Sequence, residues 1–126
     1  MITGVQSIDV HTLHGWIEKD EVLLIDVRET HEHAHTHIPA AKLQPLSTIN
    51  GPRLPDAGGR KVVVCCASGA RSLMVADRLL AAHYGGVYNL DGGMAAWQIA
   101  GYPVAGSGQA VSGPLSGAFN RFRNSV

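Results

Sequence analysis

Neither sign of charge is in excess in this chain of 126 residues, in which ten lysines and arginines stand against ten aspartates and glutamates. With no surplus of either sign, nucleic acid and anionic membrane surfaces are not expected partners. Cysteine is nearly absent as well, and its two copies, Cys65 and Cys66, are adjacent. Neighbouring strand residues point to opposite faces, so the two thiols are poorly placed to bridge, and the composition suits a reducing, cytoplasmic setting. No apolar run approaches the roughly 20 residues that a membrane span needs; Val22 to Ile25 and Val62 to Ala67 are of strand length. Residues 1–20 lack a cationic stretch followed by an apolar one, so no signal peptide is expected. A serine nucleophile elbow is missing, Gly92-Gly93 have no lysine at nucleotide-loop spacing, and no internal repeat is present. His11, His14 and His83 offer Cys66 no sequence-level partner for a protease dyad.

What is present is an alternation of strand and helix signals in a length that suits one domain. Val5 to Ile8 reads as an edge strand, Asp9 as an N-cap, and Val10, Leu13 and Ile17 as the apolar stripe of a helix ending near Lys19. Val22 to Val27 reads as a buried strand broken by Asp26 and Arg28 near its carboxyl end. Glu29 to His35 is expected as a short helix closed by Ile38-Pro39, and Ala41 to Leu46 as a weak third strand followed by a brief helical turn from Pro45. Val62 to Val64 forms a further buried strand, residues 70–83 a long helix stopped by Gly85-Gly86, Val87 to Leu90 a fifth strand, and Met94, Trp97 and Ile99 a last helix. Such alternation argues for an α/β fold, a parallel sheet covered by helices on both faces.

The chemistry-bearing stretch is Val62 to Ser72. Three uninterrupted valines lead to Cys65 and Cys66, a small-residue loop follows, and Leu73, Val75, Ala76, Leu79 and Leu80 then recur at helical spacing. The loop and the first helical turn are expected to bring unpaired backbone N–H groups near the Cys66 sulfur, which favours a thiolate over a thiol. Gly69 allows a tight curl, Ser68 and Ser72 add hydroxyl donors, and Arg71 adds positive charge. A cysteine at a strand end can instead be a small core hydrophobe; the composition of this loop argues for a nucleophile. Cys65, on the opposite face, is expected to be buried and inert.

His31, His33, His35 and His37 form a second constellation, because His31/His35 and His33/His37 would each share a helix face at ligand spacing. Pro39 leaves room for barely two turns, and no clear third ligand accompanies them beyond Glu29 or Glu32. A solvated, partly capping histidine-rich helix is therefore expected, with no metal and no cofactor.

In order, the chain carries Ile25-Asp26-Val27-Arg28, His37-Ile38-Pro39-Ala40-Ala41, Cys66-Ala67-Ser68-Gly69-Ala70-Arg71-Ser72, Asn89-Leu90-Asp91-Gly92-Gly93 with Trp97, and Gly101-Tyr102-Pro103-Val104. Across about Val5 to Val104 it resembles a single-domain rhodanese. The resemblance implies a five-stranded parallel sheet with helices on both faces, in a domain over residues 1–105, and the shift to glycine and serine from Gly106 onward reads as a flexible tail over 106–126. In that tail Leu115, Phe119, Phe122, Arg121 and Arg123 would suit a membrane-surface turn, but a frayed terminus is the expectation. The resemblance further implies a sulfurtransferase that moves sulfane sulfur from thiosulfate or a related donor to a thiol or cyanide. The sulfur would pass through a persulfide on Cys66, held by the loop Ala67, Ser68, Gly69, Ala70, Arg71 and Ser72. A protein sulfur acceptor is compatible with it. Asp26 and Arg28 match the family's Asp-x-Arg element, expected to brace the site rather than react. Arg71 fits either an anionic donor or a structural brace, and Trp97 the core.

Four residues separate Cys66 from Arg71, one fewer than in related cysteine phosphatases and arsenate reductases, and the tighter loop favours a sulfur atom over a tetrahedral oxyanion. Thr36 and Ala40 stand where glycine is usual in the family, and Ala67 stands where arginine is frequent. The last departure widens the expected donor class to polysulfides, persulfides and thiol-borne sulfur. A persulfide carrier or regulatory module without turnover is the alternative reading, and a phosphatase or arsenate reductase stands behind it.

Overall fold

A computed structural model describes residues 4–45, 47, 54–67 and 71–108, with 71–77 described by backbone alone. The elements follow one another as β1 (Val5–Ile8), α1 (Val10–Glu18), β2 (Val22–Asp26), α2 (Thr30–His35), β3 (Lys42–Leu43), β4 (Lys61–Cys65), α3 (Arg71–Tyr84), β5 (Val87–Leu90) and α4 (Gly93–Ile99). The strands form one parallel sheet in the order β1-β5-β4-β2-β3. This is the α/β architecture expected from the alternation of signals.

Local chemistry accounts for the helix starts. The Asp9 side chain accepts from the Thr12 N–H at 2.8 Å, capping α1, and Glu32 Oε1 accepts from the Glu29 N–H at 2.9 Å at the start of α2. The expected third strand contracts to Lys42–Leu43, because it pairs with β2 alone, opposite Ile25 and Asp26. The Gln44 N–H adds a single further bond to the Asp26 carbonyl at 2.8 Å before Pro45, which has no N–H to give. Leu46 and most of the expected turn after Pro45 lie outside the described residues.

Two apolar layers sandwich the sheet. On one face Leu23, Ile25, Val27, Val62, Val64 and Val87 meet Leu80 and Ala81 of α3. On the other, Leu24, Val63, Cys65 and Leu90 meet Val10 and Leu13 of α1 and Met94 and Trp97 of α4. All of β2, and β4 from Val62 to Cys65, are buried, as expected of strands covered on both sides. Beyond α4 the chain returns to α2: His37 and Ala105 exchange backbone hydrogen bonds at 2.8 Å each way, and the Ser107 and Gly108 N–H groups bind the carbonyls of Ala34 and His35.

Trp97 is the largest fully buried side chain, and its indole N–H donates to the Pro103 carbonyl at 2.8 Å. Trp97→Ala is expected to lower unfolding free energy in urea by about 3–5 kcal/mol. Ile99→Ala, at a position 87% exposed on the same helix, is expected to change it by no more than about 0.5 kcal/mol.

Candidate active site

β4 is the central strand, flanked by β2 and β5, and it ends at Cys65. Cys66 follows at the carboxyl edge, where open parallel sheets gather their ligands. Strand alternation separates the two sulfurs: Cys65 lies in the layer beneath α1 and α4, whereas Cys66 packs half-buried against the layer under α3. Burial pushes the Cys65 thiol far above its ordinary range and the nearby Asp26 charge adds to this, while Arg28 opposes. Cys65 therefore stays protonated at neutral pH, and a thiol in that state is a poor nucleophile.

The backbone from Cys66 into Ala67 is tied down. Its carbonyl accepts from the Met94 N–H at 2.8 Å and from the Cys65 thiol at 3.5 Å, and the Ala67 carbonyl accepts from the Ala95 N–H at 3.1 Å. Two of the otherwise unpaired N–H groups at the start of α4 are thus spent on the chain that follows β4. Such a close approach needs a residue without a side chain. A Cβ on Gly93 would overlap the Cys66 carbonyl oxygen and come within 2.9 Å of the Ala67 carbonyl group. Gly92 and Gly93 both take positive φ, 76° and 56°, a region that side chains disfavour.

On the Cys65 side of the sheet sits a buried charge network. Asp26 pairs in register with Cys65, so their side chains share a face. Its carboxylate, 1% exposed, is gripped by Arg28, with Nε 3.1 Å from Oδ1 and Nη2 2.8 Å from Oδ2, and by His33 Nδ1 at 2.9 Å. Burial alone would raise the Asp26 pKa; the hydrogen bonds from Arg28 and His33 outweigh it and hold the carboxyl below its usual range. An ionised carboxylate only accepts, so Nδ1 of His33 carries the hydrogen. Arg28 also donates to the Thr36 carbonyl at 2.5 Å and to the Glu32 carbonyl at 3.5 Å, fixing the end of α2 to the sheet.

A model of the Rhodanese-like domain family matches residues 9–100. The chain belongs to this family. It is 39% identical over 98 residues to an uncharacterised protein of Synechocystis sp., covering 78% of this chain and 55% of that one. A protein of Allochromatium vinosum named sulfurtransferase is 37% identical over 101 residues, covering 79% of this chain and 94% of its relative. Among solved structures, the rhodanese-related protein of Thermoplasma volcanium superimposes with a TM-score of 0.67 at 28% identity, over 79% of this chain and 97% of that one. The chain therefore spans little more than half of one curated relative and nearly all of another.

Within this rhodanese-like fold, the residues singled out from sequence fall into two groups on opposite faces. Cys66 and Ala67 lie at the end of β4, with Ala67 exposed. Ser68, Gly69 and Ala70, and the side chains of Arg71 and Ser72, lie outside the described residues. Asp26 and Arg28 belong to the Cys65 side, where they join β2 to α2. The expectation of a solvated histidine segment holds for His31 and His35, which are exposed, and is corrected for His33 and His37. Their rings stack at 3.9 Å between centroids, 8° from parallel, and the His37 Nδ1–H donates to the His33 carbonyl at 2.7 Å. Both Nδ1 atoms are thereby committed inside the protein. The i, i+4 spacing revealed the shared face, while the buried acceptor on β2 lay beyond any local signal. Gly93, legible only as a turn, is the other residue whose role came from distant contacts.

Asp26 titrates lower in the folded chain than unfolded. Its stabilisation is therefore complete above the unfolded value of about 3.9 and is lost as pH falls through the folded value. Asp26→Asn is expected to cost about 3 kcal/mol at neutral pH by leaving Arg28 uncompensated. The gap to the parent should narrow in urea titrations stepped down to about pH 3.

Proposed function

We propose that the protein is a sulfurtransferase acting through a persulfide on Cys66. The observation that carries this reading is the division of the two cysteines at the end of β4, with Cys65 buried beside Asp26 as a protonated thiol and Cys66 half-buried on the opposite face. The name of the Allochromatium relative supports it. So does the sequence after Cys66, where only four residues precede Arg71, a loop suited to a single sulfur atom.

In the proposed reaction the Cys66 thiolate donates an electron pair to the outer sulfur of thiosulfate or a related sulfane donor. A new S–S bond forms, the donor's own S–S bond breaks, and sulfite departs with that electron pair. A thiol or cyanide then attacks the terminal sulfur of the persulfide, and the Cys66 thiolate recovers the electrons of the bond that breaks. No external oxidant or reductant is consumed. Loop N–H groups and the Arg71 charge suit the anionic sulfur at each stage. Asp26 and Arg28 act here as braces, since they join β2 to α2 on the Cys65 face. Ala67 adds no charge of its own, so polysulfides and persulfides join thiosulfate as donors.

Incubation with thiosulfate followed by intact mass measurement is expected to show the gain of one sulfur. Cys66→Ser abolishes that gain and Cys65→Ala retains it. Equal uptake by Cys66→Ser would overturn the assignment. Subsequent turnover with cyanide or a thiol marks an enzyme, whereas persistence of the persulfide marks a carrier.

A further inference from the structure

We infer that Gly93 is a positioning residue for sulfur transfer: its missing side chain lets the first N–H groups of α4 hold the Cys66 and Ala67 carbonyls. This inference rests on the reading of Cys66 as the sulfur-bearing residue. The grip is double, Met94 N–H to Cys66 O at 2.8 Å and Ala95 N–H to Ala67 O at 3.1 Å, and a Cβ at position 93 would occupy the space of the oxygen being held.

The consequence follows from peptide geometry. In a trans peptide the C=O and N–H point in opposite directions, and the described chain contains no cis bond. Holding the Cys66 carbonyl against α4 therefore turns the Ala67 N–H away from α4. It also keeps two carbonyl dipoles engaged with donors instead of leaving them free to swing toward an anionic sulfur, which they would repel. Because the carbonyl held belongs to Cys66 itself, a displacement there moves the nucleophile directly.

Other glycines supply a matched control. Gly101 also has positive φ, 82°, yet a Cβ built on it meets nothing within 4 Å. Gly93→Ala and Gly101→Ala thus share backbone strain and differ in whether the Cys66 peptide is pushed. Ala95→Pro provides an independent test at an exposed position of the first helical turn, since it removes the N–H that the Ala67 carbonyl accepts and sets the proline ring in its place.

Thiosulfate uptake, followed by intact mass, is compared among the parent and these three variants alongside thermal unfolding. The ratio of Cys66 alkylation by anionic iodoacetate to that by neutral iodoacetamide is read from peptide fragments. Gly93→Ala is expected to slow sulfur uptake at least roughly tenfold and to lower the iodoacetate-to-iodoacetamide ratio. Ala95→Pro should move both readouts in the same direction, and Gly101→Ala should leave both within about twofold of the parent. Uptake and ratio unchanged in Gly93→Ala would overturn the inference, as would equal losses in Gly101→Ala. If Gly93→Ala does not fold, Ala95→Pro decides by the same criteria. A parent that gains no sulfur sinks the sulfurtransferase reading, while the alkylation ratio still tests the positioning role of Gly93.

Discussion

Alternation along a β-strand is the constraint on which the site depends. Consecutive side chains leave opposite faces of the sheet, so two adjacent cysteines at the end of β4 cannot share an environment. The one at Cys65 enters a layer closed by α1 and α4 and faces the ionised Asp26, and both circumstances keep it protonated. Cys66 emerges at the strand end beside the layer under α3. A shift of β4 by one residue would exchange these environments and bring Cys65 to the edge in place of Cys66. Register is accordingly well defended: β4 pairs with β2 from Val22 opposite Lys61 through Asp26 opposite Cys65, and every β2 side chain in that run is buried.

The Asp26 network adds a second defence. A buried carboxylate is costly unless its oxygens are engaged, and here Arg28 and His33 engage both of them. Their hold also fixes α2, because Arg28 simultaneously binds the carbonyls of Glu32 and Thr36. The same helix end receives residues 105–108, so the chain beyond α4 closes against the element that Asp26 anchors. These ties brace the carboxyl edge on the Cys65 side.

Most of this framework is legible in the periodicity of the sequence. The apolar runs of β2 and β4, the stripe of α1 and the glycine stop after α3 depend on neighbours within a few residues, and each emerged close to its expected bounds. Strand β3 was harder, since an edge strand pairs on one side and its length is set by where the partner ends. His33 shows the limit of local reading: spacing placed it beside His37, but its carboxylate partner belongs to another element. Gly93 shows the same limit, for two glycines before a helix announce a turn and say nothing about which carbonyl will lie against them. The loop after Ala67, expected from its composition to cradle the Cys66 sulfur, begins with Ser68 to Ala70, which lie outside the described residues.

A helix on one face of the sheet thus governs the backbone of a cysteine whose side chain lies on the other. Met94 and Trp97 bury α4 beneath the sheet with Leu13, Val63 and Leu90, and that packing sets where the first N–H groups of α4 fall. Those groups reach around the sheet edge to the Cys66 and Ala67 carbonyls. Because close-packed interiors transmit small displacements, changes of volume beneath α4 should reach the proposed nucleophile without any side chain touching its sulfur. Space for the Cys66 peptide and the packing of Trp97 are therefore linked through one rigid element. In that linkage the core on the Cys65 face acts as the mechanical support of the site opposite.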